Sequence, residues 1–372
     1  TFYSRLFGAS IVTRYDDVLE ALQHPALSAD RSDTAIFRLI RWFNRNEPEF
    51  LGFFERNLLM LEGADHRRLR GPVSRAFTPR RVAALRPRLE ALAEDLLDKA
   101  AAKGEIDLVH DFAYPFPVMA IAEMLGVPAA DRKQFHRWSA DLVQVLDPLQ
   151  GHDGAEPMRR ATRELYAYFR PLLQARRAEP TDDLMSAMIA AEDKGERLEE
   201  SDLLALCVLL LVAGHETTAN LIGNSVVALL RNPAERERLT REPELLPTAI
   251  NEFLRYDSPI VLTDRAVIED CELGGRRMRK GQLVGIALAA ANRDPAQFAN
   301  PDRLDVGRDP NPHLALSHGG HFCLGAQLAR LEGEIAIGAL LRRFPDFRGP
   351  ENPPQWRRSM VLRGPASLPL RL

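Results

Sequence analysis

The chain has little cysteine. Cys207, Cys271 and Cys323 are three residues in 372, an odd number with no CxxC pair among them. That excludes a disulfide framework and a zinc ribbon, and it points to a reducing, cytoplasmic setting. Net charge is also scarce: 49 basic residues against 52 acidic ones leave −3. Such a balance gives no overall attraction to nucleic acid or to an anionic membrane. Long apolar runs are absent. The longest, 203–213, falls short of the roughly 20 residues that span a bilayer, and reads as a buried helix. No Gly/Ser-rich linker, low-complexity tract or internal repeat divides the sequence, and residues 1–372 read as one domain. The N-terminus lacks both a secretory signal pattern and a Met, and reads as truncated.

What is present is apolar material arranged mostly at helical spacing. Hydrophobic residues make up 45% of the chain, enough to exclude a disordered one. A short strand at 11–13 precedes a helix at 16–23. Amphipathic helices follow at 80–102, 131–146, 158–178 and 182–191. Ser201 or Asp202 is placed to cap a helix that meets no proline until Pro233. Its roughly 30 residues would extend about 45 Å. Residues 243–256 are again helical, 261–286 carry short strands with a hairpin at Gly274-Gly275, and 325–343 form a strong helix. A final hairpin is expected in the C-terminal tail. The fold class is mainly α with small β-sheets.

Chemistry concentrates at Cys323. The run Leu316-Ser317-His318-Gly319-Gly320-His321-Phe322-Cys323-Leu324-Gly325 delivers this cysteine to the start of a helix. Unpaired N–H groups and the positive end of the helix dipole lower a thiol pKa, so Cys323 is expected to be thiolate-prone. Gly319, Gly320 and Gly325 admit unusual backbone angles and the close approach of a flat ligand. Three uses fit this loop: a reduced structural cysteine, a zinc site with His313, His318 and His321, or a haem thiolate.

The loop resembles the haem-binding signature of the cytochrome P450 family, with Gly319, His321, Cys323 and Gly325 in register. Leu316 and Ser317 depart from that signature, where Phe and Gly are usual. Four more segments resemble the family in order. Ala213-Gly214-His215-Glu216-Thr217-Thr218 is similar to its oxygen-activating motif. Glu252 and Arg255 are similar to its ExxR pair, and Arg308 to the arginine that completes a structural triad. His66 to Arg70 resembles the helix that binds a haem propionate.

This resemblance implies a P450 fold with a long central helix over the haem. It implies haem b held by Cys323 as the iron ligand, with His66, Arg70, Arg265 and His321 on the propionates and Gly319, Gly325 and Ala213 beside the macrocycle. Glu216 and Thr217 would carry protons to the dioxygen site. Ala213 and Gly214 would leave room for O2 and allow a local helix bulge. The substrate would lie against Ala213, Gly214, Ile260, Val261, Leu262 and Met360, and these residues favour a hydrophobic small molecule. Residues 36–61 resemble a mobile cover, and 142–158 a lid between two helices.

The implied reaction inserts one oxygen atom from O2, as hydroxylation or epoxidation. Electrons would come from NAD(P)H through a ferredoxin or flavodoxin and its reductase, to a monomeric enzyme. Arg68 and Arg75 are the expected docking cations. A peroxide-driven peroxygenase and a non-catalytic haem protein are the alternatives. The first is disfavoured by the Glu216-Thr217 pair. A metalloprotease is excluded, because Ala219 stands where HExxH needs its second histidine.

Overall fold

One helix organises the molecule. In the computed structural model, which describes residues 1–4, 8–143, 155–190 and 198–372, it runs unbroken over Glu200–Arg231. Its cap sits earlier than expected. Glu199 is the N-cap, and its side chain and that of Asp202 close a reciprocal capping box. Asp202 thus contributes from the third helical position, which leaves Ser201 outside the capping role. Nearly every residue from Asp202 to Leu229 is buried, so the helix needs no polar face. It alone, among the described residues, is long and apolar enough to cross a membrane, and most of it is buried inside the protein.

Around it pack Pro115–Met124, Ala155–Ala178, Leu246–Tyr256 and Ala326–Arg343. These build the main core, in which Phe112, Phe116, Phe169, Leu211, Phe253 and Ile337 are almost wholly excluded from solvent. The stretch expected as a single helix over 80–102 is two: Pro79–Ala84 and Arg86–Ala101, meeting at Leu85. Pro87 lies in the first turn of the second, where its missing N–H is harmless, and it cannot continue a preceding helix. Periodicity alone does not register that break. Residues 36–61 hold two helices, Ala35–Phe43 and Pro48–Glu55, and most of the lid read at 142–158 lies outside the described residues.

The β-structure is small and lies beside a second core of Val12, Tyr15, Val18, Val284, Ile286 and Phe298. Five strands run in the order Phe2–Ser4, Ala9–Val12, Leu283–Ile286, Thr263–Val267, Leu27–Ser28. Ile11 pairs with Gly285 in the one parallel ladder among the described strands, and Arg265 pairs with Val284 across an antiparallel one. The hairpin Cys271–Leu273/Arg276–Met278 turns on Gly274 (φ 54°) and Gly275 (φ 72°), both in the left-handed region that a tight hairpin turn demands. The C-terminal tail turns back on itself, with Trp356 and Pro365 in an antiparallel bridge, but its last strand pairs elsewhere. Its strand Pro369–Arg371 pairs with Glu105–Asp107, more than 250 residues away in sequence.

Candidate functional site

Cys323 lies in a loop built by backbone bonds. Its N–H donates to the Leu316 carbonyl at 2.9 Å, closing the loop around a short turn at Gly319–His321. The helix Ala326–Arg343 starts three residues later with Gly325 as its cap. Ser317 adopts φ 63° and Gly319 φ 70°. A Cβ on Gly319 would sit 3.2 Å from Gln23 Cγ, so that glycine answers both strain and close approach. Leu316 is buried in the main core and fills its place in the loop.

In the bare chain, burial opposes the thiolate character expected from the helix end. Desolvation pushes the Cys323 thiol up, against the smaller opposing pulls of the Gly325 N–H, Arg70 and Arg330. Burial outweighs the helix end, and a metal ion that deprotonates its ligand would reverse this. Cys207 is fully buried and its thiol pushed up by burial; Cys271 sits half-buried on its strand. The described residues contain no group of three His, Cys, Asp or Glu placed to hold a metal ion, so the zinc alternative has no ligand set.

The triad comes together. Glu252 and Arg255 are completely buried. Glu252 accepts from Arg255 Nε and Nη2, both at 2.7 Å, from Arg308 Nε at 3.0 Å, from Asn311 Nδ2 at 3.2 Å and from the Asp305 N–H at 3.0 Å. Arg255 Nη1 also donates to the Asn292 and Pro301 carbonyls at 2.9 Å. One carboxylate therefore ties the helix Leu246–Tyr256 to the irregular segment that leads into the cysteine loop.

The proposed propionate partners converge from distant parts of the chain. The rings of His66 and His321 lie 4.3 Å apart, and Arg70 Nη2 donates to the Phe322 carbonyl at 2.6 Å. Arg265 is buried, donates to the Asp264 carbonyl at 2.8 Å, and pairs with no carboxylate among the described residues. His66 Nε2 is buried without a hydrogen-bond partner. An orphaned imidazole nitrogen and a buried guanidinium without a direct carboxylate partner fit an anionic ligand that satisfies both. Sequence reasoning missed Glu62. It is the N-cap of Gly63–Ala76 yet does not cap it; its Oε1 accepts from the Ala29 N–H at 2.7 Å and lies 3.1 Å from His321 Nε2. Burial alone would raise its carboxyl, but these bonds and nearby Arg265 hold it down at about 2.

On the central helix, Glu216 is 1% exposed and forms an ion pair with Arg357. Its Oε2 has no hydrogen-bond partner and lies 3.6 Å from His215 Nε2, which in turn is 3.1 Å from Tyr114 Oη. Burial pushes the Glu216 carboxyl up, with Arg357 pulling the other way. Neither Arg357, 141 residues away, nor Tyr114 carries a sequence signal that would have linked it to Glu216. The Thr217 hydroxyl donates to the Ala213 carbonyl at 2.9 Å, and Thr218 to Gly214 at 3.2 Å. The expected bulge is absent, because the helix is regular through this point.

The remaining pocket residues fall into two groups. Ile260 bridges Leu362, and the Val261 N–H donates to the Val361 carbonyl at 2.8 Å, which sets the segment 260–262 beside 360–362. Ala213 and Gly214 belong to the central helix, where Gly214 faces Ile121. Arg68 is not a free docking cation: it donates to the buried Asp202 at 2.5 Å and fastens its helix to the central one. Arg75, Arg80 and Arg81 line an open cleft of about 580 Å³ that also contains Asp182, with which Arg81 forms an ion pair at 3.7 Å.

The family model described as Cytochrome P450 matches residues 9–368. Cytochrome P450 107B1 of Saccharopolyspora erythraea is 43% identical over 98% of this chain and 89% of its own length. Mycinamicin IV hydroxylase/epoxidase of Micromonospora griseorubida is 41% identical over 97% and 89%. Among solved structures, the bacillaene polyketide synthase cytochrome P450 PksS of Bacillus subtilis superposes with a TM-score of 0.90 at 40% identity, covering 98% of this chain and 90% of that one. P450BioI, in a complex with an acyl carrier protein ligated to hexadec-9Z-enoic acid, gives 0.90 at 36% identity, over 97% and 91%. Fold and relatives together define an oxidoreductase of the monooxygenase class. The chain belongs to the cytochrome P450 family, whose members carry a haem iron.

Proposed function

We propose that this chain is a haem-thiolate monooxygenase that hydroxylates or epoxidises a hydrophobic small molecule. The observation that carries the reading is the juxtaposition of the Cys323 loop with an orphaned His66 Nε2 and an unpaired, buried Arg265. Cys323 would be the iron ligand, and His66, Arg70, Arg265 and His321 would neutralise the two propionates. When bound, a haem with a thiolate ligand supplies the activation of dioxygen for transfer of one oxygen atom to carbon.

The protein's own residues do the rest. Glu216 holds a proton in a water-poor setting, with Arg357 adjusting how readily it is released. Thr217 Oγ1, anchored on the Ala213 carbonyl, offers a hydroxyl one residue further along for relaying it. The apolar wall of Ile260, Val261, Leu262 and Met360 orients the substrate and excludes water. Electrons originate from NAD(P)H and reach the protein through a separate ferredoxin or flavodoxin and its reductase. The cleft of Arg75, Arg80 and Arg81 supports an acidic partner.

The CO-difference spectrum of the reduced, haem-loaded protein tests the ligand. A red-shifted thiolate band is expected, and Cys323→Ser should abolish it; its persistence in that variant would remove Cys323 from the role. Thr217→Ala should lower product formed per NAD(P)H consumed by about tenfold or more while leaving the CO band intact.

A further inference from the structure

A second cluster lies behind the cysteine and has no part in the assignments above. Arg330 is the fifth residue of Ala326–Arg343, the helix that begins three residues after Cys323, so it lies in the first turns beside the cysteine loop. Long helical side chains lean toward the N-terminus, which aims this guanidinium back at the cysteine. Its position is fixed from the side. Arg330 Nε donates to Asn251 Oδ1 at 2.9 Å. His313 Nε2 lies 3.2 Å from the same oxygen. The Asn251 amide nitrogen donates to the Pro247 carbonyl at 2.9 Å, which settles which end of the amide is the acceptor. An amide oxygen only accepts, so His313 Nε2 carries the proton and its buried Nδ1 is left without a partner.

The guanidinium is only half-buried, yet it forms no ion pair with a carboxylate among the described residues. Glu334, on the next turn, is bonded to Arg86 at 2.8 Å. Burial lowers the Arg330 pKa and the nearby Cys323 acts in the opposite sense, so the two groups sense each other. His313 adds no positive charge of its own, because burial, then Arg330 and Arg255, hold its imidazole down at about 3 and keep it neutral.

We propose that Arg330 is an electrostatic tuning group that raises the reduction potential of the iron held by Cys323, with Asn251 and His313 as its positioning residues. The inference rests on the haem-thiolate reading. One-electron reduction adds negative charge to the thiolate–iron unit, and a fixed cation behind the sulfur stabilises the reduced state more than the oxidised one. The attraction is only weakly screened where protein replaces water.

Spectroelectrochemical titration of the haem-loaded enzyme tests this. Arg330→Gln should move the midpoint to more negative potential, lowering the reduced-to-oxidised ratio at a fixed potential by on the order of threefold or more. Arg330→Lys, which keeps the charge, should lie close to the parent. Asn251→Ala, which keeps all charges but releases the guanidinium, should move the midpoint in the same direction as Arg330→Gln by a smaller amount, and it serves if Arg330→Gln fails to load haem. Equal midpoints for parent and Arg330→Gln, or for Arg330→Lys and Arg330→Gln, would overturn the proposal. A parent without the thiolate CO band would instead overturn the reading of Cys323, so the two failures are distinguishable.

Discussion

Ser317 shows what a single residue costs at this site. An L side chain at φ 63° is unfavourable by roughly 1–2 kcal/mol, and the serine forms this turn where a glycine would be unstrained. Glycine in turn loses about 0.4–1 kcal/mol through its freer unfolded chain. Ser317→Gly is therefore expected to stabilise the protein by about 0.5–1 kcal/mol in denaturant unfolding, with the CO band unchanged. A β-branched residue there should destabilise. At the same scale, Cys323 is legible from its glycine-rich approach to a helix, whereas the protonation balance of its thiol is not. The dipole argument depends on local sequence alone, and desolvation depends on everything packed around the sulfur.

Between elements, the buried triad has the largest energetic stake. Replacing Glu252 by Gln leaves the fully buried Arg255 and the largely covered Arg308 facing an uncharged group, and breaking a buried pair costs about 3–5 kcal/mol. The expected outcome is a lowered unfolding midpoint together with poor haem loading, because the segment leading to Cys323 loses its anchor. Local signals read the helices well: the central helix is visible as a proline-free apolar run, and the Gly-Gly hairpin as a turn. The split at Leu85 and the pairing of Pro369–Arg371 with Glu105–Asp107 are not visible. The first needs proline's position within a turn rather than periodicity, and the second joins strands from distant parts of the chain. Arg68 escapes local reading for a similar reason. Its cluster of arginines looks like a solvated face, but its partner Asp202 comes from another helix.

The molecule as a whole should respond to acid in a definite sense. His66 is held at about 4, by burial first and then by His321 and Arg70, and His313 at about 3. Both folded pKa values lie below the ordinary value of 6.5. The unfolded chain therefore binds protons more readily, and the stability these neutral rings confer is fully present above about pH 6.5 and lost as pH falls toward about 3–4. Denaturant midpoints of the haem-free chain should fall across that window, and His66→Gln should flatten its upper part; a profile unchanged in that variant would refute the assignment. On the proposed function, charge at this scale also bears on electron delivery. With a net charge of −3, an acidic partner needs a local basic cleft, so Arg80→Glu with Arg81→Glu should slow reduction by a ferredoxin about tenfold at low ionic strength. The difference should shrink as salt is added.

Composition and helical periodicity by themselves determined a mainly helical fold with a cysteine delivered to a helix start, and five spaced motifs carried the resemblance to the cytochrome P450 family. Those features are local, since each depends on residues within a few turns of one another. Only the tertiary structure decided the partners. Glu216 with Arg357, His321 with Glu62, Arg68 with Asp202, and Asn251 with both Arg330 and His313 are pairings between segments far apart in the chain, the longest spanning 259 residues. Their charge states follow from burial, a property that no segment possesses until the rest of the chain has folded around it.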